Sequence, residues 1–186
     1  MSAELLNEVT QVMNDADTLY TPEDIQQALD RMAAGITRDL AKANPIVFSV
    51  MNGALVLTGQ MVTRLNFPLE LSYLHATRYR NQTTGSDLDW RAFPAQDVTD
   101  RSVVILEDIY DEGGTLAAIV DHCYEAGAQD VRIAVLVNKE HNRKVRPDMT
   151  IHYEGLTCVD RYIFGFGMDY KGYWRNAPGI YAVKGL

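Results

Sequence analysis

The sequence predicts an α/β domain built on a mainly parallel, twisted sheet flanked by helices. Three observations carry that prediction. Apolar, β-branched runs at 46–51, 103–106 and 131–137 read as strands covered on both faces, the pattern of a parallel sheet. Amphipathic helical stretches stand between them. The distance from one run to the next is that of a βα unit rather than a hairpin. With 186 residues, 47% of them hydrophobic, the chain suits one domain, 1–186, with a core of its own.

The first clear element begins at Thr21-Pro22-Glu23-Asp24. Thr21 suits an N-cap and Pro22 the first helical position, and the two acids sit at the positive end of the helix dipole. Ile25, Ala28, Leu29, Met32, Ile36 and Leu40 follow at helical spacing, so a helix over 22–42 presents one face to the core. Gly35 weakens it slightly. Asn44-Pro45 ends that helix, and Ile46 to Met51 is a buried-strand run. Asn52-Gly53 makes a sharp turn into a second helix marked by Ala54, Leu57, Met61 and Leu65, and Leu69 to His75 reads as another strand. Residues 76–101 are polar, contain Gly85, Pro94 and several Asp, and are long for a compact domain, so they read as a mobile functional loop or a disordered insert. Val103 to Leu106 is the most hydrophobic strand. A helix over 115–126 follows it, with Gly127 as its stop, and Val131 to Val137 adds a further strand. After Asp160 the chain becomes aromatic and irregular, more like a cap than another βα unit. Residues 1–20 carry no readable role.

Lys and Arg number 17 against 25 Asp and Glu, a net charge of −8. That balance argues against a partner among nucleic acids or membrane surfaces, because neutralising phosphates needs a basic face. The longest apolar candidate for a membrane span is interrupted by Asn44, Asn52 and Arg64. Met1-Ser2-Ala3-Glu4 has neither the basic nor the apolar region of a signal peptide. Cys123 and Cys158 are too few for a disulfide framework or a zinc site. A reduced, cytoplasmic location is expected.

Ligands of such sheets bind beyond the carboxyl ends of the strands. The segment Glu107-Asp108-Ile109-Tyr110-Asp111-Glu112-Gly113-Gly114-Thr115 joins the most hydrophobic strand to a helix there. Gly113, Gly114 and Thr115 lead into a helix N-terminus, where unpaired N–H groups and a hydroxyl can cradle a phosphate. Glu107 and Asp108 place paired carboxylates just upstream, able to accept hydrogen bonds from a diol or to hold a hydrated cation. Together these point to a phosphosugar with Mg²⁺. The plainer alternative is an acidic surface turn capped by Gly-Gly-Thr. There is no Walker A run, and Gly165 to Tyr170 fails the dinucleotide fingerprint at its last position. The four histidines (His75, His122, His141, His152) show no ligand spacing.

The run from Val103 to Leu116 resembles the phosphoribosyl-pyrophosphate motif of type I phosphoribosyltransferases, and its surroundings are similar to the hypoxanthine-guanine branch. The likeness extends from about Pro45 to Arg175, with its parts in the same order. It implies the fold of that family, with a purine-binding hood from about 160–186 plus part of the N-terminus, and a flexible loop at about 76–101 bearing Arg78 and Tyr79 near its tip. By the same resemblance, Glu107 and Asp108 hold the ribose hydroxyls and the magnesium shell. Asp111 lies near the purine N7 as proton acceptor, and Glu112, Gly113, Gly114 and Thr115 wrap the 5′-phosphate. Met51-Asn52-Gly53-Ala54 receives pyrophosphate, in a loop where the family commonly has a non-proline cis peptide. Lys139 meets the purine O6, Tyr162 stacks on the base, and the backbone of Ile163 reads its edge. Asp169 contacts magnesium, and Arg175 reaches the pyrophosphate. Taken singly, Lys139 would be a solvated loop lysine, Tyr162 a core or rim aromatic, and Arg175 a surface arginine stacked on Trp174. Their joint placement after the phosphate motif favours the functional roles. Two positions depart from relatives: Gly114 and Asn52 each stand where some carry Lys, which removes side-chain charge from the phosphate and pyrophosphate sites.

The activity implied is Mg²⁺-dependent purine salvage: hypoxanthine or guanine plus 5-phosphoribosyl 1-pyrophosphate gives the nucleoside monophosphate and pyrophosphate. A xanthine-preferring enzyme is the alternative within the class. A non-catalytic sensor of phosphoribosyl pyrophosphate is the alternative outside it. The family is usually a homodimer or homotetramer.

Overall fold

A computed structural model describes residues 2–78, 88–92 and 96–185, with the side chains of residues 77, 78, 88 and 89 outside the description. In chain order the elements are helix α1 (Ala3–Asp15), strand β1 (Asp17–Tyr20), α2 (Pro22–Leu40), β2 (Ile46–Val50), α3 (Leu55–Met61, continued by a 3-10 turn over Val62–Arg64) and β3 (Glu70–Arg78). They continue with β4 (Leu88–Ala92), β5 (Ser102–Tyr110), α4 (Gly114–Glu125), β6 (Asp130–Glu140), β7 (Tyr153–Val159), β8 (Ile163–Phe164) and β9 (Ile180–Ala182).

Six strands form one sheet in the order β4-β3-β2-β5-β6-β7. The four pairings from β3 through β7 are parallel, and β4 joins β3 antiparallel at the edge. The mainly parallel sheet read from the sequence is therefore present. The central strand β5 is buried along nearly all its length, as its β-branched run requires. One apolar cluster fills the side covered by α2 and α3, including Leu29, Met32, Leu57, Val104 and Leu136. The other lies under α4 and includes Phe48, Ile105, Leu116 and Ile119.

Helix α2 starts as its sequence dictates. The Thr21 hydroxyl accepts from Asp24 N, and the Asp24 carboxylate accepts from Thr21 N, a reciprocal capping box with Pro22 at the first position. Gly35, which reads as a weakness, is where the Tyr153 ring lies: a Cβ there would stand 3.0 Å from Tyr153 Cδ1.

Two readings are corrected. The first clear element is not α2, since α1 and β1 precede it. Helix α1 carries Leu5, Val9, Val12 and Met13 at helical spacing but buries only Val9, and it is held by polar ties. Trp174 Nε1 donates to Val9 O at 2.6 Å, while Tyr170 Oη donates to the Glu8 carboxylate at 2.9 Å. Strand β1 exists because β9 pairs with it. Together with β8 they form a separate three-stranded sheet, β1-β9-β8, over one end of the large one. The second correction concerns the long loop at 76–101. Residues 76–78 continue β3, and 88–92 form β4 against it, with Ala76 opposite Trp90. Backbone pairing at the sheet edge outweighs the polarity of the segment. Tyr79, expected near the loop tip, lies outside the described residues, as does the side chain of Arg78. Among the described residues, no helix is long and apolar enough to cross a membrane.

Candidate active site

A cleft of about 600 Å³ opens beyond the carboxyl ends of β2 and β5. A smaller cavity of about 260 Å³ adjoins it toward β6 and β8. The two share Asp108, Ile109, Asp111 and Asp169 as a common wall. Asn52, Gly53, Glu107, Glu112, Gly113, Gly114, Thr115 and Arg175 line the first, and Lys139, Tyr162 and Ile163 the second. The structure thus gathers the residues singled out in the sequence around one continuous space, apart from Arg78 and Tyr79.

Glu107 and Asp108 end the buried stretch of β5 at 9% and 7% exposure. Gly53 lies so close that a Cβ on it would come within 2.0 Å of Asp108 Oδ2, and a Cβ on Gly167 would come within 2.0 Å of Gly53 O. Only glycines let the turn after β2, the β5 acids and the 165–168 turn meet here. The Met51–Asn52 peptide is cis. Burial pushes the Glu107 carboxyl well above the usual carboxylate range, reinforced by the charge of Asp108 and by a hydrogen bond between the two side chains. Burial also raises Asp108, opposed by its bonds to Glu107 and to Ile109 N and by the charge of Arg175. Two adjacent buried carboxyls short of positive charge, facing an open cleft with hard oxygen donors, suit a divalent cation such as Mg²⁺.

These shifts carry a sign that can be tested without ligand. A carboxyl whose folded pKa is raised contributes its stability below its unfolded value and loses it as pH climbs through the folded one. At neutral pH and above, the pair therefore opposes folding. Glu107→Gln keeps a donor for Asp108 but cannot ionise. In chelator, its Tm should exceed the parent's at pH 8, by roughly 2–4 °C for each kcal/mol recovered in a chain of this size, and the gain should vanish near pH 4. Equal melting curves at both pH values would show that Glu107 is not held protonated.

The phosphate cradle is shaped by Gly113, whose φ of +76° and contact with Tyr110 (a Cβ would lie 2.0 Å from Cε2) exclude a side chain. Helix α4 starts at Gly114, so its first N–H groups face the cleft beside the half-buried Thr115. Lys144, which carries no sequence signal, buttresses this turn. Its Nζ donates to Tyr110 O at 2.6 Å and sits 3.6 Å from the centre of the Tyr110 ring. His75 and Arg91 also line the cleft from β3 and β4 without having been singled out.

On the other side of the wall, Lys139 is buried to 7% exposure, and its Nζ donates to Asp111 Oδ2 at 3.0 Å. Asp160 Oδ1 lies 3.6 Å from the same Nζ. His141 Nε2 meets Asp111 Oδ1 at 2.7 Å, and Arg143 grips Asp160 with Nη1 and Nη2 of its guanidinium, at 2.5 and 2.9 Å. Burial alone would raise the Asp111 carboxyl, but bonds and charge from Lys139 and His141 outweigh it and hold the group below its ordinary value. Asp111, His141 and Asp160 are close enough to suggest a metal cluster. Every carboxylate oxygen in it already faces Lys139, His141 or Arg143, so the group is an ion network. No role for His141 is legible in the sequence, because its partner Asp111 is 30 residues away. Tyr162 forms an exposed wall of the small cavity, edge-on to Tyr170 at 5.5 Å between ring centres, and Ile163 is buried beside it. Arg175 donates to Gly167 O at 2.6 Å and pairs with Asp169, whose second oxygen accepts from Gly172 N at 2.7 Å.

Residues 15–171 match the family pattern described as "Phosphoribosyl transferase domain". A hypoxanthine-guanine phosphoribosyltransferase of Streptococcus pneumoniae is 29% identical over 167 residues, which cover 89% of this chain and 92% of the relative. A hypoxanthine-guanine-xanthine phosphoribosyltransferase of Tritrichomonas foetus is 28% identical over 176 residues, covering 94% and 96%. Among solved structures, a hypoxanthine phosphoribosyltransferase from Staphylococcus aureus superposes with a TM-score of 0.86 at 25% identity, covering 92% of this chain and 94% of that one. A hypoxanthine-guanine phosphoribosyltransferase from Bacillus anthracis superposes with a TM-score of 0.84 at 29% identity, covering 90% and 98%.

Proposed function

The chain belongs to the phosphoribosyltransferase family, and from that premise we propose that it transfers the 5-phosphoribosyl group from its pyrophosphate to hypoxanthine or guanine, releasing pyrophosphate. The observation that carries this reading is the common wall of the two cavities. A phosphosugar in the cleft and a base in the smaller cavity would meet at Asp108, Ile109, Asp111 and Asp169. The relatives named for the same reaction support it.

In this reading the first turn of α4, with Thr115, binds the 5′-phosphate, while Glu107 and Asp108 accept from the ribose hydroxyls. Glu107 and Asp108, with Asp169 near by, would hold a Mg²⁺ ion, which when bound would supply positive charge to the departing pyrophosphate. Asn52 and Gly53 bind that pyrophosphate through the turn after β2, and Arg175 balances its charge once released from Asp169. Tyr162 covers one face of the base, and the Ile163 backbone reads its edge. Lys139 donates to O6, and Asp111 takes the proton that the base must shed. The assembly belonging to this reading is a homodimer or homotetramer in the cytoplasm. Self-association has the exposed Leu55, Leu71 and Tyr73 to cover.

Pyrophosphate release in Mg²⁺ buffer, with phosphoribosyl pyrophosphate and each of hypoxanthine, guanine and xanthine, tests the proposal. Release should require both substrates and be fastest with hypoxanthine or guanine. A protein that binds the phosphosugar yet releases nothing with any base would be a sensor rather than an enzyme.

A further inference from the structure

We propose that His141 is a positioning residue for Asp111, presenting its Nε2–H to Oδ1 so that the carboxylate keeps one orientation toward the base. The inference rests on the transferase reading for its kinetic consequence, but the geometry stands independently of it.

His141 lies just past β6, with a side chain only 4% exposed. Its Nδ1 accepts from the Arg143 backbone N–H at 3.0 Å. An imidazole whose Nδ1 accepts carries its proton on Nε2. That proton faces Asp111 Oδ1 at 2.7 Å, a charge-assisted distance. Lys139 holds the other oxygen, so the carboxylate is gripped from two sides by neighbours on the same β-strand end. Arg143 closes the arrangement, since its backbone fixes the histidine while its guanidinium is anchored on Asp160. A carboxylate that must meet a proton in one line gains from such a grip, because an acceptor misplaced by about 1 Å can cost roughly 10²-fold in rate. The titratable and charged groups facing Asp111 are Lys139, His141, Arg143 and Lys144 on one side, with Asp108, Asp160 and Asp169 on the others.

Two measurements test this. In the parent, ¹⁵N NMR should find His141 as the Nε2–H tautomer at neutral pH. The opposite tautomer would overturn the proposal whether or not the protein turns over. Kinetically, His141→Ala should lower kcat about 10- to 100-fold, with the KM for phosphoribosyl pyrophosphate within about twofold, since no part of the cradle is touched. Losing a donor to the charged form raises the Asp111 pKa, so the acid limb of the kcat profile should move up by roughly half to one pH unit. His141→Gln, which restores an amide donor at similar reach, should recover most of kcat. A His141→Ala variant with parental kcat and an unmoved acid limb would sink the proposal. A parent without turnover would instead sink the transferase reading, leaving the tautomer to judge the positioning role.

Discussion

Asp111→Asn is expected to lower kcat by about 10²- to 10⁴-fold, the range lost when a positioned acid or base is removed, while phosphoribosyl pyrophosphate binds near its parental affinity. The Asp111 carboxylate belongs to the wall between the two cavities, and its hydrogen bonds run to Lys139 and His141, on the side away from the cradle that would hold the phosphate. Each of its oxygens already receives a donor, Lys139 on one and His141 on the other. An amide has a single acceptor atom, so one of those donors would face an NH₂ group, and nothing remains to take the proton of the base. The negative charge that Lys139 and His141 favour on this carboxyl is lost with it. Calorimetry with the phosphosugar and Mg²⁺ should separate the two consequences from each other. Normal turnover would show that the proton leaves by another route, and a large loss of phosphosugar affinity would place Asp111 in binding instead.

What could be read in the sequence follows from how local each signal is. Strand β5 and the turn after it are contiguous, so the run of β-branched residues, the paired acids and the Gly-Gly-Thr entry to α4 all lie within 14 residues. The capping box of α2 is equally local. Strand β4 was legible in principle: Leu88-Asp89-Trp90-Arg91-Ala92 alternates apolar and polar at period two, but its surroundings are polar enough to hide five residues. Strand β1 has no such pattern, because what makes Asp17–Tyr20 a strand is β9, more than 150 residues later. The same holds within the site. Lys139, His141 and Arg143 look like a solvated basic stretch. Their meaning comes from Asp111 and Asp160, which the parallel pairing of β6 with β5 and β7 brings alongside. The acids of β5 are legible from their place between strand and helix, but their raised proton affinity needs the fold, since it comes from the burial of two neighbouring carboxyls.

Lys139 should decide which purines are substrates, and here the expected discrimination is largest. A 6-oxopurine offers an acceptor at O6, whereas adenine offers an amino donor at the same place. An ammonium has only donors. Lys139 Nζ uses one of them on Asp111, with Asp160 near a second, and it lines the small cavity from a buried position. Toward O6 a remaining donor makes a charge-assisted bond; toward the adenine amino group it makes none and is left unpaired. A site built around one polar group can reject the analogue lacking it by about 10⁴-fold or more. Tyr162 adds stacking area without choosing among bases, since every purine presents a π-face. Comparison of kcat/KM should therefore find hypoxanthine and guanine turned over and adenine essentially inert. Lys139→Ala should lose 6-oxopurine activity and gain none toward adenine, because its removal also takes from Asp111 and Asp160 a cation that faces both. A thermal melt of the variant separates that loss from unfolding. Adenine used as readily as hypoxanthine by the parent would mean that Lys139 does not face the base at O6, and the assignment to 6-oxopurines would fall while the phosphosugar side of the site stood.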